Sequence, residues 1–203
     1  MRRILIAAGL SVALIAPALA QAPAGAPQGT PLNVRGKIVK LSGQTLTVKT
    51  REGKTVMIAL GANATVRTLV RKKLSDIHDG DYLASTSIHA KDGKLHALEV
   101  HFLPPAVPEL QVPYDLRQDS VMTNAHVSGI AKVKGATDIS LTYKGTPTDI
   151  VVDSKTVIVA PADGAMGDLK PGKAVMLRTT KAADGSLSAN NVTVEKNGVK
   201  PPM

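Results

Sequence analysis

The chain contains no cysteine and no tryptophan, and its aromatic side chains amount to one phenylalanine and three tyrosines. Without cysteine there can be no disulfide, no thiolate nucleophile and no lipid-modified cysteine behind a leader. Proteins that bind single-stranded nucleic acid stack the bases on aromatic side chains, and this chain has few to offer. The sequence therefore predicts that nucleic acid is not a partner.

The common catalytic motifs are also missing. The sequence has no Gly-x-Ser-x-Gly, no phosphate-binding glycine loop and no His-Glu-x-x-His. Its carboxylates are scattered over turns, where an aspartate commonly caps its own backbone. We therefore expect a protein that is not an enzyme.

The most extended apolar run lies at the start of the chain. It covers residues 4–16, follows two arginines and ends before Ala18-Leu19-Ala20. This order is typical of a secretory signal peptide, with cleavage after Ala20, and the run is shorter than the roughly 20 residues of a membrane span. The mature protein is expected to be periplasmic or secreted and to have no transmembrane segment.

Positive charge dominates, and it is unevenly distributed. The formal net charge is +9, and loss of the two leader arginines would reduce it to +7. Residues 34–102 carry 12 basic and 6 acidic side chains, whereas residues 127–194 carry 8 and 6. An excess of this kind favours acidic partners, and it places the stronger attraction in the first half of the chain.

The two halves are related by an internal repeat. A shift of 92 residues superimposes one set of turn residues on another without a gap: Asp76, Gly80, Asp92 and Gly93 on Asp168, Gly172, Asp184 and Gly185. Agreement of this length indicates a duplicated structural unit.

Within each unit, apolar residues alternate with polar ones, as in Val34-Gly36-Ile38 and Val56-Ile58-Leu60, which is typical of β-strands. Asp92-Gly93 and Asp184-Gly185 have the composition of two-residue hairpin turns. Short strands in such number favour closure, which removes exposed edges. The predicted fold is all-β, with two tandem small OB-like β-barrels joined by a Pro-rich linker. A barrel-like sandwich of another topology is the alternative.

The predicted domain organisation follows from these patterns. It comprises a signal peptide (1–20), a disordered leader (21–32), a first β-barrel repeat (33–103), a Pro-rich linker and interdomain segment (104–126), a second β-barrel repeat (127–195) and a tail (196–203). The segment from Tyr114 to His126 has no counterpart in the first repeat, and we expect it to pack across both units.

The repeated pattern consists of Val-x-Gly-x-Ile at the start, Asp-apolar-x-x-Gly in the middle and Asp-Gly-x-Leu-x-Ala-x-x-Val at the end. It resembles the small OB-like domain of unknown function found in exported bacterial proteins. Met122-Thr-Asn-Ala resembles a subgroup of those proteins loosely associated with metal transport. The resemblance implies fold and export, and it carries over no catalytic residue.

Four cations are crowded into a short stretch of the first repeat: Arg67, Arg71, Lys72 and Lys73. The corresponding stretch of the second repeat, residues 160–165, contains no basic residue. We interpret the four as a basic loop that contacts an anionic envelope component or an acidic protein.

Histidine suggests a second hypothesis. Counting outward from a two-residue turn at Asp92-Gly93 places His89 opposite His96, close enough for two imidazoles to share a zinc or copper ion. The second repeat has Lys181 and Ser188 at these positions. The alternative function is therefore a periplasmic metal-binding or metal-transport accessory protein, with its site in the first repeat only.

Overall fold

The structure is a computed structural model, and it describes residues 29–133 and 135–202. The predicted signal peptide and most of the predicted leader lie outside this part of the chain. The described residues contain no α-helix, and the predicted all-β class is confirmed. They also contain no helix with the length and apolarity of a membrane span.

In the part of the chain that the structure describes, twelve strands form one continuous hydrogen-bonded sheet. They are β1 Thr30–Ser42, β2 Thr45–Thr50, β3 Thr55–Arg71, β4 Tyr82–His89, β5 Leu95–Phe102, β6 Leu110–Tyr114, β7 Ser120–Val133, β8 Ala136–Tyr143, β9 Thr146–Asp153, β10 Val157–Asp163, β11 Ala174–Lys181 and β12 Leu187–Val194. Two short 3₁₀ turns, Leu74–Asp76 and Met166–Asp168, precede β4 and β11.

Five of the strands form a closed barrel with the strand order β12-β11-β1-β2-β3, which we call the first ring. A parallel contact between β12 and β3 closes it and pairs Leu187 with Ile58 and Val192 with Val66. Alternation along each strand directs one set of side chains inward, so that Leu46 and Ile58 are fully buried. The barrel core draws its residues from both ends of the described chain.

The second ring has the strand order β5-β4-β7-β8-β9. Its closing parallel contact, between β5 and β9, is shorter and pairs Leu95 with Ile150. β10 continues this edge by pairing in parallel with β5. The core of this ring contains Leu83 and Val100 from the first repeat together with Ile139 from the second.

The arrangement of two tandem barrels, each built from one repeat, is not confirmed. Each ring combines three strands from one repeat with the terminal hairpin of the other. The closing contacts are equivalent, because a shift of 92 residues converts Leu95↔Ile150 into Leu187↔Ile58 with the two strands exchanged. The two repeats have therefore swapped their last hairpins within a single chain.

The exchange of hairpins follows from the course of β3. Its last residues extend beyond the first ring instead of turning back into it. Its final residues pair antiparallel with β10, and Leu69 faces Pro161 at the centre of the contact. These two residues are also 92 positions apart, so the pairing is symmetric about its midpoint. Leu69 and Val159 form a small third core together with Val199 of the predicted tail.

The Pro-rich linker is not confirmed as a spacer between separate barrels. Its last part forms β6, which pairs along its length with β7. The Tyr82 hydroxyl donates a hydrogen bond to the Val107 carbonyl at 2.8 Å, and the Asn124 amide donates one to the Pro108 carbonyl at 3.2 Å. The linker thus lies against the second ring.

The predicted two-residue turn at Asp92-Gly93 is wrong by one residue. The Ala90 N–H donates to the Lys94 carbonyl, and Gly93 has φ 79°, so the loop contains three residues and ends in a left-handed glycine. Asp92 accepts a hydrogen bond from the Lys94 N–H at 3.0 Å, as a turn-capping aspartate does. The added loop residue shifts the register of the hairpin from the turn to Ser87, and a bulge between Ser87 and Thr86 restores it beyond that point.

Candidate functional site

The predicted basic cluster lies at the end of β3. Arg67 and Arg71 belong to the strand itself, while Lys72 and Lys73 follow it directly. Two of the four cations predicted to lie in a loop are therefore strand residues. All four residues are exposed. Pairing with β10 holds the strand end in place and sets Arg67 opposite Asp163 and Arg71 opposite Val159.

The charges of the cluster are not neutralised by ion pairs. Among the described residues, no carboxylate lies within 4.0 Å of a charged nitrogen of these four side chains. The Lys72 ammonium lies 5.8 Å from the centre of the Phe102 ring, and the Lys73 N–H donates to the Asp76 carboxylate at 2.9 Å. The cluster therefore retains its positive charge toward solvent.

The two candidate metal ligands do not face each other. His89 pairs with Leu95, and His96 pairs with Ile88. Because side chains alternate between the two faces of a strand, this register places the two imidazoles on opposite faces. The three-residue loop is the physical reason, since a two-residue turn would have brought them into register.

His96 instead contacts its own turn. Its Nε2 lies 2.8 Å from a carboxylate oxygen of Asp92, and this hydrogen bond is the main reason that the pKa of Asp92 is lowered. No group of three or more metal-ligating side chains is found in the residues the structure describes. The opposed histidine pair on which the zinc or copper hypothesis depended is not formed.

An ion pair with a buried arginine, which the sequence patterns did not indicate, joins the two rings. Arg35, on β1, is only 3% exposed, and its guanidinium donates a hydrogen bond to the Asp115 carboxylate at 2.9 Å. The Asn33 amide donates to the same carboxylate oxygen at 3.0 Å. The Arg35 guanidinium carbon also lies 5.3 Å from the centre of the Tyr114 ring. The segment that begins at Tyr114 therefore contacts β1 of the first ring.

Electrostatics at this junction follow from burial and pairing. Burial alone would raise the pKa of Asp115, but the hydrogen bonds from Arg35 and Asn33 outweigh it and hold that pKa below its usual range. Burial raises the pKa of the Tyr114 hydroxyl, which stays neutral. The Arg35 Nε has no hydrogen-bond partner, so the guanidinium depends on Asp115 to offset the cost of burying its charge.

A second polar pair, with one buried member, lies on β5, on the face turned away from the core of the second ring. The His101 Nε2 contacts the carboxylate of Glu99, which is 5% exposed. Alternating patterns place both residues outside the ring, and the packing of neighbouring strands buries Glu99 and leaves His101 partly exposed. The sequence carried no signal for that burial.

Comparison with known proteins adds no assignment: no family model, no curated protein and no solved structure matches the chain. The resemblance to the OB-like domain of exported bacterial proteins stays a prediction.

Proposed function

We propose that this protein is an exported binding module, not an enzyme, and that it contacts an anionic partner of the cell envelope through Arg67, Arg71, Lys72 and Lys73. The partner is an anionic envelope component or an acidic protein. The closed five-stranded ring is compatible with the OB-like barrel expected from the repeat.

The observation that carries the proposal is that four neighbouring cations are exposed and without ion pairs at the end of a strand that is paired with β10. Arg67 and Arg71 are four residues apart, so their side chains leave the same face at a separation of about 13 Å. A paired strand presents them with little loss of backbone freedom on binding.

The residue types suit this task. Each arginine offers a planar fork of donors for a carboxylate, sulfate or phosphate group, and each lysine adds a mobile point charge. Asp163, opposite Arg67, weakens the local potential without forming an ion pair. The positive field of the cluster is therefore reduced but not cancelled.

Neutralising the cluster is expected to weaken binding to dextran sulfate, a soluble polyanion, by about tenfold or more, since each exposed charge pair contributes about 0.2–1 kcal/mol. The variant is Arg67→Gln/Arg71→Gln/Lys72→Gln/Lys73→Gln, and titration calorimetry at several salt concentrations measures both affinity and its salt dependence. The salt dependence should also become shallower, because fewer charges take part.

The matched control removes two arginines and two lysines elsewhere, all of them exposed: Arg117, Lys132, Lys155 and Arg178. Its net charge equals that of the cluster variant. If both variants lose the same affinity, net charge alone explains binding and the proposal fails. An unchanged affinity in the cluster variant would place the contact elsewhere.

A further inference from the structure

Strands β1 to β3 have an unusual charge balance. Between Thr30 and Arg71 the sequence contains eight basic residues and one carboxylate, Glu52. That carboxylate already accepts a hydrogen bond from the Arg51 guanidinium at 2.8 Å. The exposed lysines of these strands have no acidic partner within the strands.

The lysines are also brought together by the register. Lys37 lies directly opposite Lys49, and Lys40 follows on the same strand beyond a bulge. Like charges at directly opposed positions destabilise a sheet. Within the described chain, none of the three forms an ion pair. The fold thus maintains a repulsion that a negatively charged surface would relieve.

Apolar side chains are exposed among these cations. Met57 is 67% exposed, more than any other large hydrophobic residue described, and Val39, in the bulge of β1, is 46% exposed. Lys40, Thr47 and Met57 follow one another across three neighbouring strands. We call the surface formed by Lys37, Val39, Lys40, Lys49 and Met57 the lysine face.

We propose that the lysine face binds the surface of a bilayer containing anionic phospholipids. The ammonium groups of Lys37, Lys40 and Lys49 contact the lipid phosphates, while Met57 and Val39 enter the boundary between headgroups and acyl chains. Surface-bound proteins combine these two elements, and lysines near an anionic leaflet contribute in proportion to their number. Against a soluble polyanion, exposed Met57 and Val39 would gain nothing from contact.

The second ring does not share the lysine face. In the first ring, Lys37 lies between Lys49 and strand β11. In the second ring, His126 lies between Thr142 and strand β4, so His126 and Thr142 occupy the corresponding positions. Asp149 replaces Met57 at the repeat distance of 92, and it accepts a hydrogen bond from the Ser140 hydroxyl. Only the first ring would approach the bilayer. The face is also separate from the basic cluster, since nine residues of β3 lie between Met57 and Arg67.

Flotation with vesicles tests the proposal. The protein should float with vesicles of phosphatidylcholine mixed with phosphatidylglycerol, and it should not float with phosphatidylcholine alone. Lys37→Gln/Lys40→Gln/Lys49→Gln should weaken binding to the mixed vesicles on the order of a hundredfold. Met57→Gln should weaken vesicle binding severalfold and leave binding to soluble dextran sulfate unchanged.

Two further variants make the result specific. Lys132→Gln/Lys155→Gln/Lys181→Gln removes the same charge from exposed positions outside the face and should keep most of the affinity. The basic-cluster variant should also continue to float, so that failure of the proposed function and failure of this inference are separable. Equal loss in the two triple variants would overturn the inference, as would unchanged flotation of the lysine-face variant or of Met57→Gln.

Discussion

Replacing Asp115 by alanine should lower the free energy of unfolding by about 3 kcal/mol, because it leaves the guanidinium of Arg35 buried without its carboxylate. Loss of one partner of a buried ion pair typically costs about 3–5 kcal/mol, and the lower end applies because the Asp115 side chain is half exposed. The Asn33 amide also loses its acceptor. Urea denaturation at neutral pH measures the change.

Removing the charge as well should restore part of the stability. In Arg35→Met/Asp115→Ala no buried charge remains, so this double variant should be more stable than Asp115→Ala. A methionine side chain keeps the packing of the arginine stem and its contact with Tyr114. If Asp115→Ala unfolds at the same urea concentration as the unchanged protein, the ion pair does not hold the two rings together.

The same carboxylate gives the junction a pH dependence with a definite sign. The pKa of Asp115 is lower in the folded state, so its contribution to stability is present above the unfolded value of about 3.9 and disappears as the pH falls through the folded value. Asp115→Asn should therefore show a shallower loss of stability on acidification below about pH 4. Denaturation series at several acidic pH values compare the two proteins.

The strands themselves were predictable from local patterns. Alternation placed Ile38 and Ile58 inside, and the repeated Asp-Gly turns located both terminal hairpins. Register depended on one loop residue: a left-handed glycine closes a three-residue loop as well as a two-residue turn, and composition does not separate the two. The supposed histidine pair depended on that single residue.

The sequence could not predict which terminal hairpin closes which ring, because the repeat makes the two hairpins equivalent. Leu95 and Leu187 occupy equivalent positions, so the inward-facing residues of either terminal hairpin suit either ring. The choice is made by β3, which continues past Gly61 into a pairing with β10 instead of turning back. The burial of Arg35 likewise depends on residues that are distant in the sequence. Alternation places it outside its own barrel, and only the segment beginning at Tyr114 covers it.

A disulfide between β3 and β12 provides the most direct test of the hairpin exchange, and it should also give the largest gain in stability. Ala59 and Ser188 are paired across the parallel contact and are both exposed. Neighbouring strands lie about 4.8 Å apart, within reach of a disulfide. The chain has no cysteine of its own, so Ala59→Cys/Ser188→Cys introduces a single possible bridge.

That bridge should form on mild oxidation of the folded monomer and raise the free energy of unfolding by about 3–5 kcal/mol. It closes a loop of roughly 130 residues, and the stabilisation from restricting the unfolded chain grows with loop length. Mobility on a non-reducing gel detects the bridge, and denaturation with and without reductant measures its effect.

The repeat supplies its own control. His96 is the counterpart of Ser188 in the first repeat, and in two separate tandem barrels it would lie beside Ala59. In the exchanged structure, His96 pairs with Val151 in the other ring. Ala59→Cys/His96→Cys should therefore not form an intramolecular bridge. If this second pair forms the bridge and the first does not, each repeat closes on itself. The lysine face would then still belong to β1, β2 and β3, but the ring behind it would be completed by the hairpin of its own repeat.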